Sequence, residues 1–173
     1  MLETYSYSYS SGDLLEKRVT ARRSNGSTSE VFTMGPHLKL SARTVTFMSG
    51  ARLNVLDFVS LTKWNTKSSE LAALKDRLMT PPPDCLYRPF KLIRYDNLLG
   101  EQVVVVEAVY PQLVGRDYLW LAPRLGCESM KFRFETPQPD GSYKLIAESK
   151  PISLRLGQPD PRFFDPASRG TKQ

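Results

Sequence analysis

ESMKFRFE, residues 128–135, alternates apolar and charged side chains: Met130, Phe132 and Phe134 on one side, Lys131, Arg133 and Glu135 on the other. A strand turns successive side chains to opposite faces, so this spacing predicts a β-strand with one packed face and one wet face. Downstream, Pro139-Asp140-Gly141-Ser142 carries turn chemistry and returns the chain into a long strand over 143–156. That strand is expected to bend near Pro151, because proline cannot donate to a ladder. Upstream, the Val-rich run 102–109 suits a strand buried on both faces, and 116–121 is a shorter strand that includes Trp120.

The same period recurs in the first half. Residues 15–22 set Leu15, Val19 and Ala21 against Glu16, Arg18 and Arg22. Asn25-Gly26 then tolerates positive φ at both central turn positions, which predicts a hairpin into a return strand over 29–34. Gly35-Pro36 marks a loop. Strands follow over 42–48 and 53–63, with Ser49-Gly50 as a tight turn between them. Residues 68–79 depart from the pattern: Leu71, Leu74, Leu78 and Met79 fall three and four apart, on one helical face. Ser68 or Ser69 can cap that helix, and Pro81-Pro82-Pro83 forbids its continuation. The expected class is mainly β (α+β): eight or nine antiparallel strands in a curved sheet, with one amphipathic helix on its concave face. One domain over 1–173 is expected, its tail frayed from about 167.

Composition bounds the function. Of 173 residues, 40% are hydrophobic and 24% charged, as in ordinary soluble globular proteins. No apolar run approaches the roughly 18 residues of a membrane span, and the start of the chain reads as no signal peptide. The formal charge is +6. Its densest basic spot is Lys17, Arg18, Arg22 and Arg23, and elsewhere basic residues alternate with apolar ones, as on the solvated face of strands. Stacking aromatics do not interleave with them, so no nucleic-acid partner is expected. A single histidine, His37 in a loop, and two cysteines argue against a zinc site. No carboxylate pair, nucleophile motif or phosphate-binding glycine loop stands out, so no catalytic residue, cofactor or enzymatic activity is expected.

Cys85 follows the triple proline and Cys127 opens a strand. They admit two readings. A disulfide would close a loop worth about 3–4 kcal/mol and place the chain in an oxidising compartment. Two free thiols would instead act as small hydrophobes in a cytosolic protein. The disulfide is the reading carried forward.

Trp120-Leu121-Ala122-Pro123-Arg124-Leu125-Gly126-Cys127, the alternating strand, the Asp-Gly turn, and Gly157-Gln158-Pro159-Asp160-Pro161-Arg162-Phe163-Phe164-Asp165-Pro166 together resemble uncharacterised exported bacterial proteins. The element order is similar to the LolA/LolB-like lipoprotein-carrier superfamily. That resemblance implies an unclosed, strongly curved barrel over an apolar cavity. It further implies a periplasmic or secreted, non-enzymatic binding protein for a lipid or lipoprotein acyl chain. The cavity face would comprise Phe47, Val55, Val104, Trp120, Met130, Phe132 and Phe134, with Leu71 and Leu74 from the helix. Val45, Leu53, Val106, Tyr118, Ile152 and Leu154 would extend the same face. The alternative is a protein-interaction or envelope-sensor module with a protein partner and no small ligand.

Overall fold

The computed structural model describes residues 1–8, 14–23, 27–35, 37, 39–49, 52–57, 62–66, 84–86, 90–108 and 114–164. Among these, eleven strands form one antiparallel sheet. The first six are β1 (Leu2–Ser8), β2 (Leu14–Arg22), β3 (Thr28–Met34), β4 (Lys39–Ser49), β5 (Arg52–Asp57) and β6 (Thr62–Thr66). The rest are β7 (Phe90–Leu98), β8 (Glu101–Ala108), β9 (Arg116–Ala122), β10 (Glu128–Pro137) and β11 (Tyr143–Leu154). The order across the sheet is β6-β5-β4-β3-β2-β1-β11-β10-β9-β8-β7. Two meanders therefore meet at a single non-sequential pair, β1 with β11, and β6 and β7 stand at opposite ends of an open sheet.

The strands expected from alternation are present, with three differences. Residues 53–63 form two strands, β5 and β6, rather than one. The final strand ends at Leu154 rather than at residue 156. β1 and β7 were not anticipated: β1 alternates tyrosine with serine and shows no apolar face. In β7 the adjacent Leu92 and Ile93 break the period, because the register with β8 slips between Leu92 and Arg94. The bend expected near Pro151 is a bulge, with Glu3 opposite Ser153 and Thr4 opposite Pro151, leaving Ile152 over. Asn25-Gly26 lies outside the described residues, but its flanks pair as a hairpin: Arg22 stands opposite Thr28, and Arg23 donates to the Ser27 carbonyl at 2.9 Å. The helix expected over 68–79, with Leu71 and Leu74, also lies outside the described residues. The helical turns that are described are short 3-10 turns, Pro123–Leu125 and Pro161–Phe164.

β8 is buried on both faces, as its unbroken valine run requires. On one face Val103 and Val105 pack with Trp120, Ala122, Met130 and Leu2. On the other, Val104 and Val106 pack with Leu121 and Cys85, against which Leu119, Phe90 and Cys127 are partly buried. The apparent alternation of β10 is broken by a bulge between Ser129 and Lys131. Met130 joins the Trp120 cluster, whereas Phe132 stands opposite Leu119 and Phe134 opposite Asp117, on the other face. Trp120 is fixed from its edge and its face: its indole N–H donates to Asp96 at 3.1 Å, and the Lys131 ammonium lies 4.7 Å from its ring centre. The segment after β11 is held back on the sheet. Ser29 donates to the Phe163 carbonyl at 2.6 Å, and the Arg23 guanidinium stacks 3.9 Å from the Phe164 ring centre.

Met130 is fully buried in the cluster that ties β8, β9 and β10 to β1. Met130→Ala is therefore expected to cost about 2–5 kcal/mol in urea denaturation. Ile152→Ala, at a bulge and 45% exposed, is expected to stay within about 0.5 kcal/mol.

Candidate functional site

The central strands carry a pocket of about 400 Å³. Its walls come from β1, β2, the end of β11 and the turn between β9 and β10. Leu2 stands opposite Thr20 on β2 and Leu154 on β11, so these residues share one face by register. The ladder runs one step further, with Arg155 donating to the Met1 carbonyl at 2.8 Å. This carries Leu156 and Gly157 to the mouth of the pocket.

The fourth wall is built by local chain chemistry. Pro123 opens a single 3-10 turn, and Gly126 closes it at φ +67, with its N–H on the Pro123 carbonyl at 3.1 Å. Cys127 follows at φ +61 and donates to the Ala122 carbonyl at 2.9 Å, which reverses the chain into β10. Arg22 of β2 donates to the Gly126 carbonyl at 3.1 Å, and its guanidinium lies where a side chain on Gly126 would stand. Cys127 is bonded to Cys85, with Cα atoms 5.5 Å apart, so the expected disulfide is present and anchors this wall from the opposite face of the sheet. Cys85 itself sits at φ +58, a left-handed position that a non-glycine residue keeps only when its surroundings hold it.

The pocket is amphipathic. Leu2, Leu125 and Leu154 form its inner, apolar part, and exposed Leu156 extends it outward. Its lining includes four arginine residues, Arg22, Arg23, Arg124 and Arg155, and one acidic residue, Glu128. Arg124 reaches toward Glu101 at 3.6 Å, a carboxylate only 4% exposed. Burial pushes the Glu128 carboxyl above its ordinary value, with Arg18 and Arg22 opposing the shift and Glu30 adding to it. The residues that contribute to the lining carry a net positive charge.

The residues expected to line one cavity do not share a face. Trp120 and Met130 belong to one core cluster and Val104 to the other. Phe132 and Phe134 fall on the Val104 side, and Val55 is half-buried in β5, opposite Thr46 and Trp64. Phe47 lies in β4, its backbone opposite Asn54, and Leu71 and Leu74 lie outside the described residues. Of the wider inward set, Leu154 alone lines the pocket. Arg22 and Arg23 belong to the densest basic spot of the sequence. Arg124, Leu125, Gly126 and Gly157 belong to the two short stretches that carried the family resemblance. Those stretches, 30 residues apart between Cys127 and Gly157, meet here. Among the described residues, no group of three His, Cys, Asp or Glu side chains is placed to hold a metal ion.

No protein-family match and no curated protein match is found for this chain. Among solved structures it is similar to a chain in the Pseudomonas aeruginosa MucA/MucB complex, at 14% identity and a TM-score of 0.47, covering 91% of this chain and 52% of that one. A structure of MucB in complex with MucA(peri) gives 16% identity, a TM-score of 0.46, and coverage of 91% and 50%. The chain spans about half the length of these neighbours, and neither likeness assigns a family.

Two outcomes are expected at this site. A carboxyl raised above its ordinary 4.5 contributes stability below that value and loses the contribution as pH rises through the raised one. The melting temperature should therefore fall for this reason as pH rises from about 4.5 toward neutrality, and Glu128→Gln should flatten the profile relative to the native protein. Separately, replacing Cys85 and Cys127 by serine should cost about 3–4 kcal/mol in denaturant unfolding.

Proposed function

We propose that this chain is a non-enzymatic binding protein whose central pocket takes an amphiphile, such as a lipid or a single acyl chain with a negatively charged end. The observation that carries the reading is the pairing of a leucine-lined interior with four arginines in one pocket of about 400 Å³. That volume lies in the range of small-molecule sites. Each methylene buried against Leu2, Leu125, Leu154 and Leu156 adds about 0.8 kcal/mol, and the guanidinium groups orient the polar end. The disulfide supports work in an oxidising compartment, periplasmic or extracellular.

One feature favours a second reading, a protein-interaction module without a small ligand. β7 ends the sheet, and Leu92, Ile93 and Tyr95 on it are exposed, which suits addition of a partner strand.

Fluorescence titration with 8-anilinonaphthalene-1-sulfonate, an aromatic anion, separates the two. The folded protein is expected to bind it saturably, and Leu156→Glu is expected to abolish binding with little change in melting temperature, since Leu156 is 61% exposed. Absence of binding by the native protein would reject the pocket reading in favour of the interaction module.

A further inference from the structure

We infer that the open edge of the sheet at β7 pairs with β7 of a second copy of this chain, antiparallel about a two-fold axis through Tyr95. Among the described residues β7 ends the sheet, and Leu92, Ile93 and Tyr95 on it are exposed, Tyr95 by 60%. The turn into β8 fixes which backbone groups are left over. Leu99 at φ +53 and Gly100 at φ +84 form a two-residue turn, closed by Leu98 opposite Glu101. The closing pair of such a turn exchanges both of its hydrogen bonds, and along an antiparallel ladder bonded and non-bonded pairs alternate. Leu98 and Asp96 therefore direct their N–H and C=O groups to β8, and Asn97 and Tyr95 present theirs outward.

The side chains select the occupant. Charge on an edge strand commonly deters another chain. Here the charges have opposite signs two residues apart, so Arg94 and Asp96 share one face, 3.6 Å from each other, with the Arg94 side chain 57% exposed. A two-fold axis through Tyr95 sets Arg94 opposite the partner's Asp96, and Asp96 opposite the partner's Arg94. On the other face Tyr95 meets the partner's Tyr95, and the outward backbone groups of the two are exchanged. Moving the axis by one residue, to Arg94 or Asp96, sets like charges opposite each other and brings inward-directed backbone groups to the seam. Hydrogen-bonding phase and charge order thus agree on one register, and that register is self-complementary. β8, β9 and β10 separate this edge from β11, so the contact goes beyond the pocket reading and stands or falls independently of it.

The test is sedimentation equilibrium of the oxidised chain over a micromolar concentration series, paired with amide hydrogen exchange. One pair of edge strands buries less surface than a standard stable interface, so a reversible dimer with micromolar dissociation is expected. Exchange at the outward Tyr95 amide should slow as the dimer fills, whereas exchange at Leu98, already bonded to β8, should not depend on concentration. Arg94→Glu turns two symmetry-related attractive pairs into repulsive ones and should weaken the dimer about tenfold, with a melting temperature close to that of the native protein. Tyr95→Pro removes the N–H on the axis and should abolish the dimer. If Tyr95→Pro fails to fold, Arg94→Glu and the exchange measurement decide. A chain that stays monomeric throughout the series would overturn the inference and return the edge to a strand from a different protein. A dimer that Arg94→Glu leaves at native strength, or that leaves Tyr95 exchange unchanged, would overturn it as well.

Discussion

The antiparallel pairing of β1 with β11 closes the sheet across its middle. It is the one ladder between strands distant in sequence, and it joins the β1–β6 meander to the β7–β11 meander. Every other ladder is made by neighbours along the chain, at small loop-closure cost. This one must bring Leu2 to Leu154 across nearly the whole chain, and two interactions reward it: Leu2 enters the Trp120–Met130 cluster, and the Met1–Arg155 step extends the ladder. The pocket exists only because of this pairing, since β1, β2 and the end of β11 make three of its walls.

The second constraint is the disposition of the two faces of β8. A sheet buried on both sides of one strand needs cover on both sides. The Leu2–Trp120–Met130 cluster supplies one, and the disulfide-linked Cys85 segment supplies the other. Cys127 therefore serves two roles at once. It anchors the covering segment on one face, and it fixes the turn whose Gly126 carbonyl holds Arg22 at the pocket on the other. Packing and site are coupled through one short turn.

Much of this was legible in the sequence. Period-2 alternation located most strands, the valine run announced a doubly buried strand, and the two cysteines were read as a disulfide. The site was not legible, for physical reasons that the residues show. One inserted residue at Met130 reverses which face the following side chains occupy, so Met130, Phe132 and Phe134 look like one stripe and are not. β1 carries no apolar stripe, so nothing in its tyrosines and serines announces that it is central. Without β1, Arg22 and Arg155 have no reason to be neighbours, and the basic spot at Arg22 and Arg23 reads as a solvated face. The short motifs around Arg124 and Gly157 did point to the site, but as turns rather than as walls of a common pocket.

The proposed ligand enters between β1, β2 and β11, not at the sheet edge. The direct measurement is a ¹H–¹⁵N correlation spectrum of the labelled protein titrated with 8-anilinonaphthalene-1-sulfonate. Shifts are expected to centre on the amides of Thr20, Gly126, Arg155 and Gly157, with those of Leu92 and Tyr95 unmoved. Shifts confined to β7, or a saturating interaction that leaves Gly126 and Gly157 in place, would contradict it.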